Sequence, residues 1–321
     1  MRGLLLVNIG TPETATLPDV KKFIATILSD PLLTDLPEGL SKFLARKIVA
    51  PLGSPSSTKR YQKIWRTEAP RISPLLYQMR KLATTIEEKK GLPVAFAMRY
   101  GLPDVAAAFR ELERKCPLLH EVIVFPLFPH YAQSTTQTIL GEVGRVFYRS
   151  PHSFRIKFAT PYYDHPAYIH ALSEQIKPYL VDFDRLLFCY HSLPIHHVET
   201  AWKKGKEYDY VYQLKETNRL VCESLGLDTH ETLIFYSSQR GKNWLKPFLN
   251  TDIIDLPGLG WKKVVVATPG FSVDNLESLF DVNMEARQLF MEAGGEKFVY
   301  VPALNDSDAW VEAIWKIVER M

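Results

Sequence analysis

The sequence predicts an α/β protein of two similar units, each a four-stranded parallel sheet flanked by helices. Short apolar runs rich in β-branched and aromatic residues recur along the 321 residues. Amphipathic segments lie between them, and strands alternating with helices imply parallel sheets. The runs begin at residues 4, 94, 122 and 156, and again at 186, 233, 264 and 298. The last two intervals of each set nearly match. The first interval of the first set is much longer, so the first unit carries an insertion. The expected domains are 1–160 and 161–321, with the insertion at about 30–75. With 46% hydrophobic and 23% charged residues, a chain of this size buries about three quarters of its unfolded surface, enough for two cores.

The first strand is expected at 4–9. Its apolar run Leu4-Leu5-Leu6-Val7 is stopped by Asn8, Gly10 and Pro12. No small-residue cleavage site follows, so it reads as a buried strand and not a signal peptide. The insertion holds Pro31, Pro37, Pro51, Pro55, Pro70 and Pro74. Its apolar positions 36, 40, 43, 44 and 48 fall at helical spacing beside Lys42, Arg46 and Lys47. One reading is a helix packed on its own domain. The other is an apolar lip with a basic edge, suited to an apolar ligand or a membrane surface. Runs 94–98, 122–128 and 156–160 complete the first set and read as strands buried on both faces.

In the second unit Asp164, Pro166, Ile169, Leu172, Ile176 and Leu180 show a cap, an early proline and helical spacing. Strands are expected at 186–190, 233–237, 264–268 and 298–301. The last helix runs from residue 306 through Trp310, Ala313, Ile314 and Ile317, and is expected to pack on the N-terminal domain. The sequon Asn305-Asp306-Ser307 reads as its cap.

Several function classes lack support. A net charge of +3 without long single-sign runs argues against a nucleic-acid partner. Cys116, Cys189 and Cys222 lie far apart with no Cys-x-x-Cys, so neither a zinc ribbon nor a cysteine-bound cluster is signalled. So sparse a count suits the reducing cytoplasm. No apolar stretch approaches the ~18 residues of a membrane span. Gly258-Leu259-Gly260 lacks the third glycine of a dinucleotide loop, and Gly241-Lys242 lacks the rest of a phosphate-binding loop. Neither Gly-x-Ser-x-Gly nor His-Glu-x-x-His occurs.

In open parallel sheets, ligands bind outside the C-terminal ends of the strands. Those ends carry Asn8, Arg99-Tyr100, the Gln133-Ser134-Thr135-Thr136 loop, His191 and the 269–277 loop. His191 ends a strand. Its imidazole is either a metal ligand or proton acceptor near neutral pH, or a hydrogen-bonded loop histidine. His196 and His197 read as exposed loop residues. In the 269–277 loop and the helix after it, Asp274, Glu277, Asp281 and Glu285 share one helical face. Asp274 and Glu277 also fit a capping box, and the later acids fit a solvated stripe. Four acids in a row repel unless water or cations screen them, and a divalent cation is a natural partner. Together, His191 and this acidic helix start form a candidate metal site.

A series of short motifs, taken in order, resembles the ferrochelatase family. They are the stretch from Leu5 to Pro12, Leu28-Ser29-Asp30-Pro31, Ser73-Pro74-Leu75, Met98-Arg99-Tyr100-Gly101, and Pro126-Leu127-Phe128-Pro129 with Ser134-Thr135-Thr136. Then follow His191-Ser192-Leu193-Pro194, Trp244-Leu245-Lys246-Pro247, Gly270-Phe271, Asp274, Glu277 and Pro302-Ala303-Leu304-Asn305. The resemblance is to the type found in Gram-negative bacteria and mitochondria. It implies two Rossmann-like domains with a porphyrin cleft between them, and the apolar insertion as the cleft's lip. It implies a lyase that inserts Fe²⁺ into protoporphyrin IX to make protohaem, the last step of haem biosynthesis.

His191 and Glu277 are then the catalytic residues and hold the metal, with Asp274 and Asp281 beside them. Arg99, Tyr100, Ser134, Ile9 and Ser73 are the porphyrin-side candidates; Arg99 either meets a propionate or braces its loop. Iron is a substrate, no cofactor is tightly bound, and without a late cysteine no iron–sulfur cluster is expected. The expected place is the cytoplasm, with peripheral contact at the inner membrane face. Ile9 stands where coproporphyrin-using forms tend to place a tyrosine, which favours protoporphyrin. The chain departs from the family at Arg71-Ile72, Tyr236-Ser237, 205–208 and Asn275. Alternative readings are a non-catalytic porphyrin or haem carrier, or a chelatase for coproporphyrin or another tetrapyrrole.

Overall fold

The computed structural model describes residues 1–238 and 241–321. Eight strands form two parallel sheets: β1 (Arg2–Gly10), β2 (Val94–Tyr100), β3 (Glu121–Pro126) and β4 (Arg155–Phe158), then β5 (Arg185–His191), β6 (Thr232–Ser237), β7 (Lys263–Ala267) and β8 (Lys297–Tyr300). The strand orders are β2-β1-β3-β4 and β6-β5-β7-β8, the same thread twice. The apolar runs form strands because both faces of a parallel sheet are covered. Leu4, Leu5, Leu6 and Val7 are all fully buried, as are Leu186, Leu187, Phe188 and Cys189.

The chain divides into two compact units, Met1–Phe128 with Ala132–Thr160, and Pro161–Met321 with Pro129–Tyr131. Polar contacts place residues 129–131 in the second unit, away from the expected split at 160. Nε2 of His130 lies 2.9 Å from Thr217 Oγ1, and the Tyr131 amide donates to Gln213 Oε1 at 2.7 Å.

In the first unit, α1 (Leu17–Ile27), α2 (Pro31–Thr34), α3 (Glu38–Leu44), α4 (Ala50–Ile64) and α5 (Pro74–Lys90) fill the long interval between β1 and β2. After β2 come α6 (Val105–Lys115) and, beyond β3, α7 (Thr138–Phe147). A π-helical stretch, Ala45–Val49, joins α3 to α4. Small or polar residues of this segment, Ser41, Ala45, Ala50, Ser54 and Thr58, are buried. The large apolar ones are not: Leu40, Ile48 and Val49 are exposed, with Phe43 at 58% and Leu52 at 78%. The helical spacing seen in the sequence is real, but its greasy side chains face outward. Gly10 lets β1 end against β2: at its φ of +123°, a Cβ would sit 1.9 Å from the Tyr100 carbonyl oxygen.

The second unit holds α8 (Pro166–Ile176), α9 (Ile195–Trp202), α10 (Tyr210–Leu225), α11 (Leu249–Asp252), α12 (Arg287–Glu292) and α13 (Asp308–Val318). His165 caps α8 in place of Asp164, its Nδ1 accepting from the Ala167 amide at 3.2 Å. Ser307 caps α13 as expected. Within its own unit, α13 turns its apolar face inward. Trp310 is fully buried against Tyr162 and Tyr168, and α13 packs on α8. His196 and His197 lie in the first turn of α9, not in a loop. Among the described residues, no helix is long and apolar enough to cross a membrane.

Candidate active site

Three neighbouring strands of the second sheet deliver one cluster. His191 ends β5, and Ser237 ends β6 directly opposite it in register. Glu277 opens the π-helix Glu277–Ala286, which follows β7 on the other side of β5. Nδ1 of His191 lies 2.9 and 2.8 Å from the two carboxylate oxygens of Glu277. The Ser237 hydroxyl donates to the same carboxylate, and Ser238 adds a further hydrogen bond. Tyr210 fixes the backbone from behind, its hydroxyl donating to the His191 carbonyl at 2.9 Å.

This arrangement decides which ring nitrogen carries the proton of a neutral His191. An acceptor carboxylate on Nδ1 requires a proton there, so a neutral imidazole carries its lone pair on Nε2. The His191 side chain is 34% exposed, so the ring is not sealed in the core. Burial pushes the Glu277 carboxyl up, but the His191 charge and the hydrogen bonds from His191, Ser237 and Ser238 outweigh it, and the net shift is downward. Glu277 is therefore an anion at neutral pH. Cys189, two residues before His191 on the same strand face, stays a neutral thiol. Burial raises its pKa, and the charges of Glu277 and Asp281 raise it further.

The acidic row is shorter than the sequence suggested. Glu277, Asp281 and Glu285 recur every fourth residue in a π-helix, whose i→i+5 ladder widens each turn and brings that spacing nearly into line. Asp281 is buried, and Glu285 accepts from the Asn250 side chain. Asp274, expected as a metal ligand, is an anchor for its loop. One oxygen accepts from the Tyr300 and Ser278 hydroxyls, the other from Asn305 Nδ2 at 2.8 Å. Four donors converge on it once the Ala303 amide is included, three of them on the one oxygen. Nor does it form the expected capping box. Asn275 Oδ1 accepts from the amides of Glu277 and Ser278 instead, at 2.8 and 3.2 Å.

In the first unit, three porphyrin-side candidates have internal hydrogen-bond partners. One Asp30 oxygen accepts from Arg99 Nη2, the Tyr100 hydroxyl and the Thr138 hydroxyl, each at 2.6 Å. Arg99 Nε also donates to the Thr138 carbonyl and hydroxyl. Arg99 thus braces its loop, and Tyr100 is buried beneath its guanidinium. Ser73 is the buried N-cap of α5, accepting from the Leu76 amide at 3.1 Å. Ile9, near the end of β1, and Ser134, in the π-helix Gln133–Gln137, are partly exposed. Sequence reasoning missed Asp30 and Ser237 as site-building residues. An aspartate before proline at a helix start signals the first, and the strand-end rule alone points to the second.

Burial pushes the Asp30 carboxyl up, but hydrogen bonds from Thr138, Tyr100 and the Leu32 amide, with the Arg99 charge, bring it below its ordinary 3.8. Its stabilisation is therefore full above pH 3.8 and is lost as pH falls through the lower folded value. Asp30→Asn should cost about 3 kcal/mol at neutral pH by stranding Arg99, on the order of 10 °C in Tm. Thermal melts of both proteins across the acid range check this: the gap should narrow below pH 3.8. A gap that is absent at neutral pH, or unchanged in acid, would count against Asp30 as the hub.

Comparison with known proteins identifies the family. The ferrochelatase family model matches residues 1–321. The ferrochelatase of Vibrio parahaemolyticus is 33% identical over 321 residues, covering 99% of this chain and 97% of that one. That of Legionella pneumophila strain Corby is 33% identical over 337 residues, covering 99% of each. Among solved structures, SirB from Bacillus subtilis with Fe³⁺ aligns with a TM-score of 0.56 at 12% identity, over 99% of this chain and 94% of that one. A multi-domain Deinococcus radiodurans protein described as structurally similar to chelatases gives the same TM-score at 10% identity, over 99% of this chain but 54% of its own. Those two likenesses concern the fold; the family model and the full-length sequence matches carry the assignment. The chain belongs to the ferrochelatase family.

Proposed function

We propose that this chain inserts ferrous iron into protoporphyrin IX, and that His191 and Glu277 carry the reaction. The observation that supports this most directly is the pairing of His191 Nδ1 with the anionic Glu277 carboxylate, which leaves the lone pair of a neutral ring on Nε2. Metallation replaces two pyrrole N–H protons by Fe²⁺, so two protons must leave for each iron that enters. His191 Nε2 accepts the two pyrrole protons one at a time, and Glu277 stabilises the imidazolium that forms each time. The partly exposed ring then gives the proton to water. One lone pair cannot hold iron and a proton together, so the two duties are sequential at Nε2. Iron, a substrate here, is approached by the oxygen donors Glu285, Asp281 and Glu277, which suit a hard or borderline dication.

Steady-state turnover with protoporphyrin IX and Fe²⁺ under anaerobic conditions tests this reading. A porphyrin carrier would bind once without turnover. Ile9 supports protoporphyrin as the substrate, and a clear preference for coproporphyrin would reverse that choice.

The outward Leu40, Phe43, Ile48, Val49 and Leu52, with Arg46 and Lys47 among them, support peripheral contact with an anionic bilayer. The chain should float with anionic liposomes, and the double substitution Phe43→Asp and Leu52→Asp should abolish flotation. Equal flotation of the two proteins would remove the lip from this role. Three free, buried cysteines are in keeping with a reducing compartment such as the cytoplasm.

A further inference from the structure

We infer that Ser237 is a positioning residue for metal insertion: its hydroxyl holds the Glu277 carboxylate against Nδ1 of His191. The inference rests on the reading above and names a residue that touches neither substrate.

Three observations carry it. The Ser237 backbone is locked, since its residue pairs with His191 across β5 and β6 and its carbonyl accepts from the Ser192 amide at 3.1 Å. The side chain is 3% exposed and is aimed at Glu277 Oε1, the oxygen that also faces His191 at 2.9 Å. Finally, the hydroxyl has a second acceptor within reach, the Tyr190 carbonyl at 3.1 Å. A hydroxyl has one proton. While Glu277 is an anion, that proton belongs on the charged acceptor, because charge-assisted hydrogen bonds are the stronger ones. If the carboxylate turns away, the proton can swing to Tyr190 without leaving a buried donor unpaired. Ser237 therefore grips the carboxylate without obliging it to stay, which suits a group that must also meet a passing cation.

Without the grip, Glu277 is free to rotate, Nδ1 loses its fixed acceptor, and Nε2 presents its lone pair only part of the time. Ser237→Ala should lower kcat about 10-fold, the usual scale for groups that orient a ligand histidine. The porphyrin KM should stay within about two-fold, since no ground-state contact is lost. Ser237→Thr keeps the hydroxyl and should restore most of kcat. A second readout needs no substrate. In ¹⁵N spectra of histidine-labelled protein, with His191 assigned by its absence in His191→Ala, wild type should show the Nδ1–H tautomer and Ser237→Ala a mixture. Should the alanine variant melt early, Ser237→Cys, similar in size and a weak donor, replaces it, with an intermediate kcat expected.

Wild-type kcat in a folded Ser237→Ala, an unchanged tautomer, or failure of a folded Ser237→Thr to recover kcat would each overturn the inference. Absence of turnover in the wild type would instead overturn the proposed function, and the tautomer comparison would still judge Ser237.

Discussion

His191→Ala should reduce kcat/KM for metal insertion by about 10³-fold, the scale of a lost general base, while the far-UV circular dichroism stays that of the wild type. The fold should survive because the side chain is one-third exposed and the local backbone is tied from elsewhere. Tyr210 grips the residue 191 carbonyl, and the Ser192 hydroxyl donates to the Leu245 carbonyl at 2.9 Å. Stability should nevertheless fall, because Glu277 is left as a buried anion with hydroxyl donors alone. Initial-rate assays on purified protein check the first point and a thermal melt the second. Near wild-type metallation by the variant would mean that Nε2 is not the acceptor.

Glu277→Gln should cost about 10²-fold in kcat, near the upper end for outer-shell partners of a ligand histidine. The amide is nearly isosteric and can still accept one hydrogen bond, so geometry changes little. What disappears is the negative charge that stabilises the imidazolium. The pH dependence of stability follows. The Glu277 carboxyl is held below its ordinary 4.5, so its stabilising contribution is complete above that pH and is lost as pH falls through the folded value. Acid unfolding should contain this step in the wild type and lack it in the variant. Wild-type kcat in the Glu277→Gln variant would show that the charge is dispensable, and the carboxylate would then be no more than a spacer.

Much of the architecture could be read from the chain because parallel strands covered on both faces leave an unmistakable apolar signature. All eight runs became strands, with no end shifted by more than two residues. Pairing His191 with Glu277 was also legible, since strand ends and carboxylates are visible as letters. What composition could not reveal was which hydrogen bonds would win. Asp274 and Glu277 look alike in the sequence, yet four donors consume the first and leave the second facing an imidazole. Arg99 and Tyr100 sit at a strand end like His191, but Asp30, far away in sequence, claims both. The lip was ambiguous for a different reason. Helical spacing fixes which side chains share a face but not which way that face points, and small buried residues at 41, 45 and 50 decided it.

The repeated thread of the two sheets gives the molecule an internal twin. Strand by strand, β1 matches β5, β2 matches β6 and β3 matches β7, and a π-helix lies beyond the third strand in both halves, Gln133–Gln137 in one and Glu277–Ala286 in the other. The counterparts of His191 and Glu277 are, in the other half, an isoleucine–glycine tip and a run of amides and hydroxyls. Two scaffolds of one topology thus end in different chemistry, and the difference between them resides in a few terminal side chains, not in the strand order that presents them.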